Sequence, residues 1–123
     1  MLREYRKDIS AMRRVIRTAL NEAIPDLVLK DCNLVDVYSG EILKTDISIA
    51  AGRIASIDKC PITPKKVLRC NQYYAVSGLI DGHVHIDSTL LTPTQLAKIL
   101  LPHGTTTVLI DPMEIANVLG MKG

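Results

Sequence analysis

The chain has 123 residues, of which 47% are apolar and 23% charged, and its formal net charge is +2. That is the length of an ordinary domain and a globular rather than a disordered balance. The small net charge excludes an electrostatic argument for nucleic acid or an anionic membrane, and with neither Trp nor Phe any core rests on Ile, Leu, Val and Met.

The spacing of Leu2, Tyr5, Ile9, Met12, Ile16 and Leu20, at intervals of three and four, predicts an amphipathic helix over residues 2–20. Arg3, Arg6, Lys7, Arg13, Arg14 and Arg17 lie in the same stretch. No aromatic platform or nucleic-acid motif accompanies them, so they read as a solvated helix face. The N-terminus lacks the apolar segment of a signal peptide, and no apolar run is long enough to cross a bilayer. Pro25 bars further helix.

From Asp26 the period shortens. Residues 27–30, 34–38, 43–49 and 53–57 read as strands, separated by turn residues at Asp31 to Asn33, Ser39-Gly40 and Ala51-Gly52. Asp46 and Ser48 alternate with Ile47 and Ile49, the pattern of a half-buried antiparallel strand. Residues 59–66 read as a loop, and 67–68 and 73–76 as two short strands. Cys32, Cys60 and Cys70 form no CxxC and match no zinc-site spacing. Reduced thiols in a cytoplasmic protein follow from that usage.

After Ser77-Gly78 the character changes again. Residues 79–87 read as a strand. Thr92, Pro93 and Gln95 open a helix, with Thr92 as its cap, and the helix stops at Gly104. Thr105 to Ile110 is a nearly continuous β-branched run, as in a strand buried on both faces. Residues 111–114 open a second helix that stops near Gly120. The chain thus divides into residues 1–76, a helix followed by a small all-β unit, and residues 77–123, β-α-β-α. Two parallel strands make no stable sheet alone, so the second part reads as the opening of a larger α/β fold.

The chemistry concentrates in Asp81-Gly82-His83-Val84-His85-Ile86-Asp87. Residues two apart on a strand share a face, which puts His83 and His85 together with Asp81 and Asp87. Ile80, Val84 and Ile86 then point the other way. Two same-face imidazoles can grip one metal ion through ring nitrogens, although an HxH pair with no metal role stays open from the residues alone. Asp111 and Glu114 fit a helix-capping pair and equally a place beside a site at a strand's carboxyl end. His103, before Gly104, fits a helix end whose last carbonyls it serves. Met113 and Met121 read as packing residues, and Lys122 as exposed.

The run from Val76 to His85 resembles the first barrel strand of the amidohydrolase superfamily. Residues 26–30, 35–42 and 46–54 are similar to that superfamily's sandwich strands. Leu91-Thr92-Pro93, the run from Leu101 to Val108, Asp111-Pro112 and the run from Glu114 to Gly120 are similar to its adenine deaminases, as is the leading helix. That group carries Glu at the position of Asp87 and His at the position of Met113. The resemblance implies an N-terminal helix and part of a β-sandwich over residues 1–76. Residues 77–123 would then begin a (β/α)8 barrel that is incomplete in this chain.

It also implies a divalent metal, manganese or iron first and zinc as the alternative, with His83 and His85 among its ligands. The catalytic groups are not identified; Glu114, Asp111 and Asp87 are the candidates. The implied reaction is hydroxide attack on the ring carbon that bears the amino group of adenine, giving hypoxanthine and ammonia. The substrate is a small purine base, with no nucleic-acid or membrane partner. The HxE and PCxxC pair of the other zinc deaminases is absent from the sequence. The family draws its further ligands from later strands, so these 123 residues alone are expected to be inactive. A homo-oligomer, or a second chain that completes the barrel, is expected. The alternatives are another amidohydrolase activity, on a cyclic amide or another base, and a non-catalytic remnant or assembly partner.

Overall fold

A computed structural model describes residues 2–120, with side chains from residue 8 onward. The assignments made above for Met121 and Lys122 lie outside the described residues. The chain separates into two compact units, and the division falls between Val76 and Ser77.

The first unit begins with α1, Leu2–Ala19. Asn21 ends it in the left-handed conformation, φ +59°, and donates to the Thr18 carbonyl at 3.0 Å. Asn tolerates that conformation better than most residues. The helix packs against β2, Ile42–Ala50, and β3, Arg53–Ile57. Its inward face is not the apolar stripe of the sequence pattern. Ile9, Met12, Ile16 and Leu20 point outward, 39% to 62% exposed. Thr18 is buried, Ala11, Arg14 and Val15 are half-buried, and Arg14 forms an ion pair with Asp26. Arg13 and Arg17 stay exposed.

A mixed five-stranded sheet surrounds β1, Leu27–Val35. β1 pairs antiparallel with β2 and parallel with both β4, Val67–Arg69, and β5, Tyr74–Ala75. The break expected at residues 31–33 is a bulge inside one strand. Leu29 faces Ile47 and Cys32 faces Thr45, so the β1 side holds an extra residue, and Asp31 sits at φ +56°. The strand stops at Val35, short of the expected Tyr38. There the Asp36 carboxylate accepts from Tyr38 N–H and Ser39 O–H and bends the chain into a turn.

Two carboxylates do much of the joining. Asp26 accepts from Arg14, from Lys65 Nζ at 2.8 Å and from Ala51 N–H at 3.0 Å. It ties α1, the 59–66 loop and the β2–β3 turn together, and the hydrogen bonds from Arg14 and Lys65 hold its carboxyl far below the usual range. Asp46, buried on β2, accepts from Asp31 N–H at 2.8 Å, Cys60 N–H at 3.2 Å and Lys30 Nζ at 3.2 Å. Burial pushes the Asp46 carboxyl up, but those three donors outweigh it and the net shift is downward. The apolar core beside it is small: Cys32, Ile47 and Cys70, with Leu29, Leu34, Ile49 and Ala75 packed on.

β2 and β3 join through two residues, Ala51 at φ +51° and Gly52 at φ +72°. Two positive φ values match the right-handed twist of the flanking strands. Gly52 takes this conformation freely, whereas Ala51 does so at a cost, with its N–H held by Asp26.

The second unit pairs β6, Leu79–Val84, with β7, Thr105–Ile110, in parallel. Between them run a 3₁₀ turn at Asp87–Thr89, α2 at Pro93–Leu100 and a second 3₁₀ turn at Leu101–His103; α3, Met113–Leu119, follows. β6 ends three residues earlier than expected because Ile86 is already helical and its carbonyl accepts from Thr89 N–H. The expected Thr92 cap does not form: its hydroxyl meets the Thr94 hydroxyl instead. His103 Nδ1 lies 2.8 Å from the Ile99 carbonyl, in the role expected at that helix end. Ile86 and Leu96 are buried. β7 is not buried on both faces, and Ile80, Leu109 and Ile110 are exposed, since two short helices cannot cover both sides of a sheet. A Cβ on Gly78 would meet Thr106 Oγ1 at 2.2 Å, so this close approach requires glycine. Among the described residues no helix is long and apolar enough to cross a membrane.

Asp46→Ala is expected to lower the unfolding free energy by roughly 1–3 kcal/mol, because buried N–H groups lose their acceptor; urea titration measures it. The folded pKa of Asp46 lies below the unfolded value of about 3.9. Its stabilisation is therefore full above that value and disappears as pH falls through the folded pKa. Urea midpoints taken downward from about pH 5 should fall more steeply for the parent chain than for Asp46→Asn, and parallel curves would refute this. Ala51→Asn should stabilise the first unit by about 1 kcal/mol by easing the left-handed strain; a Tm equal to or below the parent's would contradict that.

Candidate metal centre

Both strands of the second unit run the same way, so their carboxyl ends meet at one edge. In open α/β sheets ligands bind at that edge. Val84 pairs with Ile110, and Asp111 N–H continues the ladder by donating to the Val84 carbonyl at 3.1 Å. Asp111 is thereby placed next to the HxH segment. The register shifts between Asp81 and Val84, with more residues on β6 than on β7. This bulge breaks simple alternation, yet the two imidazoles still converge.

His83 Nε2 and His85 Nε2 lie 3.0 Å apart. The rings meet edge to face, with centroids 4.9 Å apart and planes at 69°. His83 is exposed and His85 half-buried. His83, His85 and Asp111 each offer a ligand atom within 4.8 Å of the others. His85, Asp87 and Glu114 form a second such trio. His85 belongs to both, with Nε2 toward His83 and Nδ1 toward Glu114 Oε2 at 3.8 Å.

Four of the expected placements change. Asp81 does not join the imidazoles as a donor: it is exposed, and its Oδ1 accepts from His83 N–H at 3.1 Å, which fixes the local turn. Asp87 is not on the strand but opens the 3₁₀ turn. Asp111 and Glu114 are not a capping pair, because the N-cap of α3 is Pro112 and no side chain caps it. Both carboxylates are left for other use. Met113, in the first turn of α3, is 52% exposed rather than packed.

The electrostatics suit a cation or a proton at this cluster. His85 Nδ1 and Asp87 Oδ2 are buried atoms with no hydrogen-bond partner. The Glu114 carboxyl beside Asp87 holds Asp87 below the usual carboxylate range, against burial, with help from Ser88 and Ile115 N–H. An orphaned buried polar atom costs free energy. A divalent ion would fit the donor set, since two convergent imidazole nitrogens with a carboxylate beside them are ligand types such ions take. Beside Asp87 and Glu114 an apolar wall of Ile115, Val118 and Leu119 bounds a shallow hollow. The sequence pattern singled out the two imidazoles and the three carboxylates. What it missed was the double engagement of His85, for which no residue spacing is a signal.

No family model matches the chain. The chain is 47% identical over 112 residues to an adenine deaminase of Thermosipho melanesiensis, covering 91% of this chain and 20% of that protein. It is 42% identical over 126 residues to an adenine deaminase of Moorella thermoacetica, covering 100% and 21%. It spans about a fifth of the length of these curated relatives. A crystal structure of a prolidase complexed with N-methylphosphonate-L-proline shares the fold, with a TM-score of 0.54 and 22% identity over 76% of this chain and 28% of the other.

Proposed function

The chain belongs to the adenine deaminase family, over about a fifth of the family's length, and from that premise we propose that it is the N-terminal part of a metal-dependent hydrolase converting adenine and water to hypoxanthine and ammonia. The observation that carries the chemistry is the meeting of His83 and His85 Nε2 at 3.0 Å, with Asp111 beside them at the carboxyl ends of β6 and β7. In this reading β6-α2-β7-α3 is the opening of a (β/α)8 barrel, and residues 1–76 contribute to a β-sandwich.

His83 and His85 would hold a divalent ion, manganese or iron before zinc, with Asp111 placed as a third donor. A bound divalent ion supplies a nucleophile from water at neutral pH. Asp87 and Glu114, on the far side of His85, are the carboxylates available for proton handling or for orienting ligands. The hollow along Ile115, Val118 and Leu119 offers a flat apolar base a wall to lie against. Two imidazoles and one carboxylate would leave positions open on an ion, and the chain spans about a fifth of its curated relatives, so further ligands are expected from strands outside these residues, in a continuation or a second chain. The 123-residue chain alone is expected to be inactive. A second reading, hydrolysis of another base or a cyclic amide, draws on Met113, which puts a thioether in the first turn of α3 where the group carries an imidazole.

Mn(II), Fe(II) and Zn(II) titrations should show binding by the parent chain that weakens at least tenfold in His83→Ala and in His85→Ala, as for loss of a ligand; equal affinities would remove the metal centre. Incubating the purified chain with adenine and Mn(II) should release no ammonia above buffer. Turnover near that of an intact family enzyme would overturn the inactivity. A panel of purine bases and cyclic amides, run on the completed enzyme, should favour adenine, and preference for another compound would select the second reading.

A further inference from the structure

We propose that Glu114 is a positioning residue: its carboxylate accepts a hydrogen bond from His85 Nδ1–H, so that Nε2 would face an ion as a preset lone pair. This rests on the metal-centre reading and adds to it an order of readiness between the two imidazoles.

A neutral imidazole carries one ring proton, on one nitrogen or the other. His85 Nδ1 is buried with no hydrogen-bond partner, and Glu114 Oε2 lies 3.8 Å from it. That is longer than a hydrogen bond. Glu114 is 52% exposed and makes no cap; its other contact is with the Asp87 carboxyl, and a shift of its Oε2 by about 1 Å closes the gap to Nδ1. A carboxylate on this side favours the Nδ1–H form. With the proton on Nδ1, His85 Nε2 can only accept. The 3.0 Å contact between the rings is then His83 Nε2–H donating to His85 Nε2. The two histidines therefore stand in opposite tautomers. His85 needs no proton shift to take an ion, whereas His83 must move its proton to Nδ1. Asp87 is the second carboxylate within reach of this face of the ring.

The alternative for the same three residues is that Glu114 itself ligates an ion. Nitrogen-resolved NMR of the ion-free chain, at a pH where both rings are neutral, should find His85 protonated on Nδ1 and His83 on Nε2. The reverse assignment overturns the proposal without any metal being involved. Zn(II) affinity should fall tenfold to a hundredfold in Glu114→Ala and stay close to the parent's in Glu114→Gln, whose amide oxygen still accepts from Nδ1–H. Equal loss in the two variants would mark a charged ligand, and no loss in Glu114→Ala an idle side chain; either result overturns the positioning role. Unchanged circular dichroism in both variants excludes a folding defect. If His83→Ala binds Zn(II) as well as the parent does, the metal centre fails, and the tautomer assignment still decides the Glu114–His85 contact.

Discussion

Parallel pairing of β6 with β7 is the constraint on which the candidate centre rests. It brings two carboxyl ends to one edge, and the ladder bond from Asp111 N–H to the Val84 carbonyl sets how far Asp111 reaches along β6. An antiparallel partner would carry its carboxyl end away from the imidazoles. The register is irregular at both ends. Between Asp81 and Val84, in the HxH segment, β6 holds one extra residue. Near Leu79 the extra residue is on β7, where Thr106 crowds against Gly78. A side chain at position 78 would push the strands apart and move Asp111 relative to His85.

The first unit is held by a different balance. Its apolar core is small and rich in short side chains, and the longer apolar residues of α1 face outward. Much of the joining falls to Asp26, which gathers donors from three separate segments, and Asp46, which gathers three donors from two. A carboxylate among several N–H groups fixes segment positions more sharply than a few methyl contacts, since hydrogen bonds are directional. That precision also makes the unit sensitive to acid.

Elements with strong local signals were legible in the sequence. Thr105 to Ile110 is β-branched and bounded by Gly104 and Pro112, and β7 has those limits. Arg53 to Ile57 follows a turn pair whose residues fix the hairpin. Where tertiary partners decide, the pattern misled. Asp31 reads as a turn residue, but Asp46 captures its N–H and keeps it inside β1. The stripe from Ile9 to Leu20 has helical spacing, but spacing does not say which face a sheet will cover, and Arg14 with Asp26 turned the helix the other way. At the centre, the alternation rule brought His83 and His85 together but could not foresee the bulge, nor that Asp81 would bind its own backbone.

The placement of the thiols gives the first unit a built-in reporter. Cys32 and Cys70 are buried in the core, and burial raises the Cys32 thiol above its ordinary range, whereas Cys60 is only partly covered. An alkylating reagent meets Cys60 from solvent but reaches Cys32 and Cys70 only when the sheet around β1 opens, so the slow labelling of those two sulfurs times the opening of that sheet.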